Sequence, residues 1–249
     1  MKAVHIIVAA MVLGACFVTP ARSVAQPENT TRFTVGGRFE LAEPKEEFRE
    51  NVGNGVGAGA ALLYHLDRPG WISLGFDASW LQYGHETKRV PFSQTVGGRI
   101  LVDVNTTNSI AGFSFGPEFA VPRGFVRPYV NAAISGLLFR TASSVEGIRT
   151  NEDIAATTNA SDWTRAWVFG GGVRIPVTGR DSRFALDFGV RYHRGGQASY
   201  LREGSIQDNP DGSITITPLV SRTPFMVYAI GFRYRIPYNS ASPCPGWLC

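Results

Sequence analysis

The chain has 249 residues, of which 44% are hydrophobic and 12% aromatic, so the composition is that of a folded protein rather than a disordered one. Charged residues make up 18%, below the roughly 25% that is usual in soluble domains. The formal net charge is only +4 and the sequence has no basic stripe, which argues against a nucleic-acid-binding protein.

Residues 1–25 have the pattern of a secretory signal. Lys2 forms a short positive region, an apolar stretch runs from Ala3 to Val18, and Ser23-Val24-Ala25 fits a small-x-small cleavage site. The apolar stretch is shorter than the ~20 residues that a membrane-spanning helix needs. We therefore expect an exported chain that is cleaved after Ala25.

Three cysteines bear on how the exported chain is processed. Leu13-Gly14-Ala15-Cys16 resembles a lipobox, in which the cysteine is lipidated, but the apolar run continues beyond Cys16 and favours the later cleavage. Cys244 and Cys249 would then meet an oxidising compartment and are candidates for a disulfide. Two thiols supply only half of a zinc shell, so we expect no metal site.

The remaining chain alternates apolar and polar residues with a period of two, which predicts half-buried β-strands. We predict eight strands, at about 32–41, 52–66, 71–83, 100–121, 128–140, 163–177, 183–193 and 225–236. In the fourth strand the apolar residues change parity between Val104 and Phe113. That change predicts a break or bulge near 105–109.

The predicted connections alternate in length. Tight turns are expected at 67–70, 122–124 and 178–181, and long polar links at about 42–51, 84–95, 143–162 and 196–222. Within the last link, Asn209-Pro210-Asp211-Gly212 between two isoleucine segments predicts a small β-ribbon. The acidic residues there lack the spacing of a calcium loop. Short turns at one end and long loops at the other are typical of an outer-membrane barrel.

These patterns predict an all-β protein, an eight-stranded antiparallel up-and-down transmembrane β-barrel. The apolar faces are expected to point to lipid and the charged faces inward. An eight-stranded lumen is only just wide enough for side chains, so its charges are expected to pair. The predicted lumen charges are Arg38, Glu40, Asp77, Glu118, Arg174, Asp187, Arg191 and Arg233.

Glycines and aromatic residues fit the same interpretation. The alternating glycines Gly53, Gly55, Gly57 and Gly59 are predicted to pack the lumen, because no helix follows them as a phosphate-binding loop requires. Aromatic residues near strand ends are predicted to form girdles at the membrane interfaces. These residues are Trp71, Trp80, Tyr83, Phe119, Phe139, Trp163, Trp167, Phe184, Tyr192 and Tyr234.

The segment Ala229–Ile236 resembles the C-terminal assembly signal that the barrel-insertion machinery reads, with Gly231, Tyr234 and Ile236 in the matching places. It departs from that pattern in its first position, Ala229, and because 13 residues follow it. Over about residues 31–236 the chain resembles the eight-stranded outer-membrane β-barrel family, which includes outer-membrane protein A and opacity-type proteins. The resemblance implies four segments: a signal peptide at 1–25, a short periplasmic lead at 26–30, a barrel at 31–236 and a periplasmic tail at 237–249.

The resemblance also implies a location and a role. We expect the cell outer membrane of a double-membraned bacterium, outer-membrane lipid and the barrel-assembly machinery as partners, an unknown extracellular ligand at the loops, and no cofactor. The expected role is structural or surface-interacting rather than enzymatic. A barrel-embedded lipid A deacylase or lipid esterase is one alternative. Its candidate residues are His193 and Ser199, which are six residues apart instead of the two of such enzymes. A narrow pore and a lipid-anchored soluble barrel are the others.

Overall fold

The computed structural model describes residues 32–91, 101–147, 150–180, 182–202, 204–209 and 214–237. Within these residues most of the backbone is β-strand. The elements are β1 (Phe33–Pro44), α1 (Glu46–Asn51), β2 (Gly55–His65), β3 (Ile72–Pro91), β4 (Leu101–Ala120), β5 (Arg127–Gly147), β6 (Thr150–Pro176), β7 (Phe184–Gly195), β8 (Gln197–Tyr200), β9 (Ile206–Asp208), β10 (Ile214–Ile216), β11 (Leu219–Arg222) and β12 (Phe225–Ile236).

Eight of these strands close into an antiparallel barrel in the order β1, β2, β3, β4, β5, β6, β7 and β12. The barrel closes where β1 pairs with β12, from Phe33 opposite Ile236 to Pro44 opposite Phe225. Closure gives the backbone of the first and last strands hydrogen-bond partners and removes the free sheet edge. The predicted up-and-down barrel is confirmed.

The two ends of the barrel differ, and we name them by their connections. Residues 66–71, 121–126 and 177–183 join consecutive strands at the turn end, where the three tight turns were predicted. In the first turn the Asp67 carboxylate accepts hydrogen bonds from the backbone N–H groups of Trp71, at 3.0 Å, and Ile72, at 2.8 Å. At the opposite end, the loop end, three of the four connections are longer, and β5 and β6 are joined by only two residues.

Two of the predicted long loops are strand instead. Strand β3 continues to Pro91, and β5 and β6 together cover 127–147 and 150–176, so most of the predicted links at 84–95 and 143–162 belong to the sheet. A membrane strand needs only about 9–11 residues. A sheet with water on both faces does not need to alternate apolar and polar residues. The period-two pattern therefore ends before β3, β5 and β6 do.

The break or bulge predicted near 105–109 is not in the fourth strand itself but opposite it. Strand β4 is continuous from Leu101 to Ala120, and the irregularity lies in its neighbour, where Tyr83 is an extra residue between Gln82 and Gly84. The apolar residues of β4 change parity because Ile110 belongs to a buried cluster inside the barrel, whereas Phe113 faces outward.

The loop end is covered by short elements. The polar link predicted at about 42–51 instead contains the helix α1, whose Phe48 is buried. Strand β9 pairs with β10, with Ile206 opposite Ile216, which confirms the predicted ribbon, although its tip at 210–213 lies outside the described residues. Strand β8 pairs with β11 beside them.

The barrel exterior is apolar. Phe113, Ile134 and Ile230 are each more than half exposed although they lie in mid-strand. Most of the predicted girdle residues also face outward: Trp71, Trp80, Phe119, Trp163, Trp167, Phe184 and Tyr234 are exposed. Tyr83 and Phe139 do not, because both are buried inside the barrel. In the described part of the chain, no helix is both long and apolar enough to cross a bilayer.

Candidate functional site

The middle of the lumen holds a cluster of ion pairs around Asp77. Its Oδ1 lies 2.6 Å from Arg38 Nη1 and 3.1 Å from Arg191 Nη1. Arg38 also donates from Nε to the Glu40 carboxylate. Because β1, β3 and β7 are separated around the barrel wall, this cluster links three parts of the wall across the lumen.

Two further pairs lie nearer the turn end. Arg233 Nε donates to Asp187 Oδ2 at 2.6 Å, between β12 and β7. Arg174 Nη2 donates to Glu118 Oε1 at 2.7 Å, from β6 to β4, and the Arg174 guanidinium lies 4.1 Å from the centre of the Tyr129 ring. The structure thus places all eight predicted lumen charges inside the barrel.

Glycines make room for this charged cluster. A side chain at Gly59 would begin 2.8 Å from Glu40 Oε1 and 3.0 Å from Arg38 Nη2, so the absence of a Cβ there lets the ion pair approach the wall. Gly53 differs from the other alternating glycines, since it precedes β2 and nothing lies within 4 Å of its Cβ position. The lumen-packing prediction is therefore wrong for Gly53.

An aromatic cluster closes the lumen at the loop end. Phe48 of α1 inserts between four rings, at centroid distances of 5.2 Å to Tyr200, 6.0 Å to Phe139, 6.2 Å to Tyr83 and 6.4 Å to Phe225. Buried aliphatic residues of the barrel wall pack around these rings: Ala42, Leu81, Ile110, Leu137, Ala166 and Val227.

Sequence reasoning missed this cluster. Phe48 is the one apolar side chain between Lys45 and Glu50, which is a signal for a buried face on an otherwise charged helix. Tyr83 has the same parity as the inward Asp77, and strand alternation alone would have placed it in the lumen. Near strand ends, aromatic residues occur both in the outward-facing girdle and in the aromatic cluster inside the lumen, so residue type alone does not separate the two.

The two esterase candidates are held in separate environments. The His193 ring stacks on Phe225 with centroids 4.4 Å apart, and its Nδ1 is buried without a hydrogen-bond partner. Ser199 lies in β8, and its backbone N–H donates to Asp162. No hydrogen bond joins His193 to Ser199 within the described residues, so the base and the nucleophile are not brought together.

The segment that resembles an assembly signal forms most of β12. The Cβ position of Gly231 would lie 2.2 Å from the carbonyl oxygen of Gly37, so any side chain there would strike the neighbouring backbone. Tyr234 and Ile236 are exposed on the outer face of the barrel. The signal peptide, Cys16, Cys244 and Cys249 lie outside the described residues.

The lumen holds ion-paired side chains from the turn end to its middle, and the aromatic cluster closes it at the loop end. Across the described ranges no group of three or more His, Cys, Asp or Glu side chains could hold a metal ion. A closed antiparallel barrel with an apolar outer face and a charged interior is the architecture of transmembrane β-barrels.

Comparison with known proteins extends this description only at the level of fold. No protein-family model matches the sequence, and no curated protein matches it. A similar fold is found in Neisserial surface protein A, with a TM-score of 0.45 and 15% identity over 83% of this chain and 98% of that one. Ail of Yersinia pestis, in complex with the heparin analogue sucrose octasulfate, has a TM-score of 0.42 and 11% identity over 82% of this chain and 97% of that one. A major outer membrane protein from Thermus thermophilus has a TM-score of 0.41 and 12% identity over 81% of this chain and 99% of that one.

Proposed function

We propose that this protein is a non-conducting outer-membrane β-barrel with a structural and surface-contact role. The observation that supports this most directly is the filled lumen. Ion pairs around Asp77 occupy its middle, and the aromatic cluster around Phe48 occupies the loop end. An interior filled in this way leaves the outer faces and the loop end as the parts that meet other molecules.

The orientation follows from the two ends of the barrel. Outer-membrane barrels keep their short turns in the periplasm and their longer connections outside. The turn end is then periplasmic, and the loop end is outside the cell. Strands β3–β6 have 20, 20, 21 and 27 residues, far beyond the 9–11 or so that cross the membrane. A four-stranded sheet then stands above the membrane and offers a surface for an extracellular partner.

Neither the pore nor the esterase gains support from a specific contact. A pore needs a continuous water path, whereas the lumen is occupied at two levels by buried side chains. An esterase needs a nucleophile within reach of a base. His193 instead stacks on Phe225, and Ser199 lies in a separate loop-end strand.

Cell fractionation followed by SDS gels of boiled and unboiled samples tests the membrane assignment. We expect an outer-membrane fraction and a band that shifts on heating, because a closed strand ladder has no edge from which SDS can open it. A soluble periplasmic protein without a heat shift would contradict the proposal, and mass spectrometry of the mature N-terminus would then test lipidation of Cys16.

Planar-bilayer recording of the purified barrel tests the absence of conduction. We expect no stepwise currents from the wild type. Stable single-channel steps would contradict the non-conducting role and favour a narrow pore. In cells, the double variant His193→Gln/Ser199→Ala should leave lipid A unchanged, and an altered lipid A pattern would instead support the esterase alternative.

A further inference from the structure

Three neighbouring strands end their lipid-facing surface on an arginine. In β5, β6 and β7 every outward-facing residue is apolar, aromatic or glycine over a stretch of 9 to 11 residues, the length that crosses a membrane. These stretches are 128–138, 167–175 and 184–192. Toward the loop end, the next outward-facing residue of each strand is an exposed arginine: Arg140 in β5, Arg165 in β6 and Arg194 in β7. The three arginines therefore lie just beyond the lipid-facing belt.

The strand register makes Arg165 and Arg194 neighbours on the outer face. Arg194 is directly opposite Trp167, and the backbone N–H of Gly196 donates to the carbonyl oxygen of Arg165 at 2.8 Å. Arg165 and Arg194 are thus diagonal neighbours across the strand pair, and such positions are about 7–8 Å apart, within reach of long side chains. One phosphate group can accept hydrogen bonds from two guanidinium groups placed in this way.

Two tryptophans fix the depth of Arg165 in the membrane. Trp163 and Trp167 lie two residues to either side of it on the same face of β6, and both are exposed. The Trp163 ring lies over Gly136, the residue directly opposite Arg165, in space that a side chain would fill. Tryptophan is enriched at the level of the lipid headgroups. Arg165 therefore lies where headgroups are, rather than among acyl chains or in bulk water.

The charges of Arg165 and Arg194 are not neutralised within the described part of the chain, where no ion pair joins either of them to a carboxylate. The nearest carboxylate along β6 is that of Asp162, which accepts two backbone N–H groups, at 2.8 and 2.6 Å. Another exposed arginine of the loop end does pair, since Arg89 Nε lies 2.8 Å from Asp103 Oδ1. Exposure alone therefore does not explain the unpaired charges over β6 and β7.

The other side of the barrel ends its lipid-facing surface differently. The corresponding outward-facing residues are Glu43 in β1, Gln82 in β3 and Ser109 in β4. The Glu43 carboxylate lies 2.7 Å from Lys45 Nζ and 3.2 Å from Arg49 Nη1, so those two cations have a partner. Arginines that served only to hold the barrel at its depth would be expected around the whole circumference. A cluster on one side is what a binding site requires.

We propose that Arg165 and Arg194 bind the phosphate group of an outer-leaflet lipid whose acyl chains lie against the apolar face of β6 and β7. A phosphate monoester offers three acceptor oxygens and close to two negative charges to the paired guanidinium groups. Arg140, about 13 Å farther from the turn end, adds positive charge beside the rest of the headgroup. This inference rests on the proposed orientation, in which the loop end is outside the cell.

Native mass spectrometry of the folded barrel in a non-ionic detergent tests the binding. The probes are lipid A, which carries phosphate monoesters, and the same lipid after its phosphates have been removed. We expect the phosphorylated lipid to bind at least tenfold more tightly, and equal binding of the two would overturn the proposal. Inorganic phosphate at the same concentration should not displace lipid A. Displacement would overturn the assignment of the site to a lipid.

A matched pair of double variants locates the site. Arg165→Gln/Arg194→Gln should weaken the binding of phosphorylated lipid A at least tenfold and leave that of the dephosphorylated lipid unchanged. Arg49→Gln/Arg89→Gln removes the same amount of charge from two exposed loop-end arginines that have carboxylate partners, and it should keep the wild-type affinity. Equal losses in both variants would mean general charge attraction and overturn the proposal, as would full retention by Arg165→Gln/Arg194→Gln.

The mobility of boiled and unboiled samples separates this inference from the proposed function. Both double variants change exposed side chains only, so both should keep the heat-dependent band shift expected of the wild type. A wild type that shifts on heating but binds the two lipids equally would overturn the lipid site alone. A wild type without a shift would contradict the membrane barrel and, with it, this site.

Discussion

The two halves of the lumen are filled by opposite chemistry. From the turn end to mid-barrel the interior is a chain of ion pairs centred on Asp77, Asp187 and Glu118. At the loop end it is a cluster of aromatic rings around Phe48. Side chains of the barrel strands alone fill the first half, whereas the second half is filled partly by side chains from α1 and β8.

That difference follows from the surroundings of each half. A charge enclosed by a barrel wall and lipid cannot reach bulk water, so its partner has to be supplied at a fixed position by another strand. At the loop end, connections are long enough to fold back over the opening. An apolar side chain such as Phe48 gains by leaving water, and its docking orders the segment that carries it.

The charged half should be the more sensitive to a single change. Asp77→Asn would leave Arg38 and Arg191 without their shared carboxylate inside the barrel, and breaking a buried ion pair costs about 3–5 kcal/mol. Urea unfolding in vesicles measures this loss. Asp103→Asn is the matched control, because Asp103 pairs with the exposed Arg89, and its loss should be far smaller than that of Asp77→Asn. Equal losses would contradict the contrast between buried and exposed pairs.

The aromatic half should respond locally. Phe48→Ala removes the ring that contacts four others, and Phe-to-Ala changes in a core cost about 3–5 kcal/mol. We expect about 3 kcal/mol, because α1 can detach while the barrel wall stays closed. Hydrogen exchange should rise in α1 and β8 but not around Asp77. Phe125→Ala, at an exposed turn-end position, is the control, and uniform exchange throughout the barrel would contradict a local role.

The barrel strands and their inward charges could be predicted because one constraint fixes both. Lipid requires an apolar residue at every second position, and the positions between then face the lumen, which locates Asp77 and Arg233 without knowledge of any partner. The pairing itself could not be predicted. Asp77 meets Arg191 across the barrel, a contact that depends on strand number and register.

The aromatic cluster around Phe48 is harder to predict from the sequence. Tyr83 and Phe139 were assigned to the interfacial girdle because they are aromatic and near strand ends, yet their parity with Asp77 and Leu137 matches the lumen. For Phe48 the sequence indicates a buried side chain but not its destination. Its place depends on how the loop-end opening is shaped by strands that extend beyond the membrane.

Glycine should matter where the charged half touches the wall. Gly59→Ala would place a methyl group 2.8 Å from Glu40 Oε1, against a carboxylate held by Arg38, so we expect a loss of about 1 kcal/mol in unfolding free energy. Gly53→Ala is the matched control, since nothing lies within 4 Å of its Cβ position. A larger loss from Gly53→Ala than from Gly59→Ala would contradict the close packing of the ion pair.

The smallest effect is expected from an acidic residue outside the lumen. Partial desolvation raises the pKa of Asp67, but hydrogen bonds from the backbone N–H groups of Ile72 and Trp71 lower it by more, so the pKa lies below the ordinary 3.8. A lowered pKa stabilises the fold above the pKa of the unfolded chain, and this contribution is lost as the pH falls through the folded value. Because the carboxylate is exposed, we expect about 0.5 kcal/mol.

Unfolding midpoints of the wild type and Asp67→Asn between pH 7 and pH 2.5 measure this contribution. The variant keeps one side-chain oxygen as an acceptor but cannot titrate, so the two proteins should differ by a constant amount above about pH 4.5 and converge below that. Divergence on acidification would mean that Asp67 stabilises the turn in its protonated form. Since the buried carboxylates are common to both proteins, the difference between the two curves isolates the exposed charge from the lumen network.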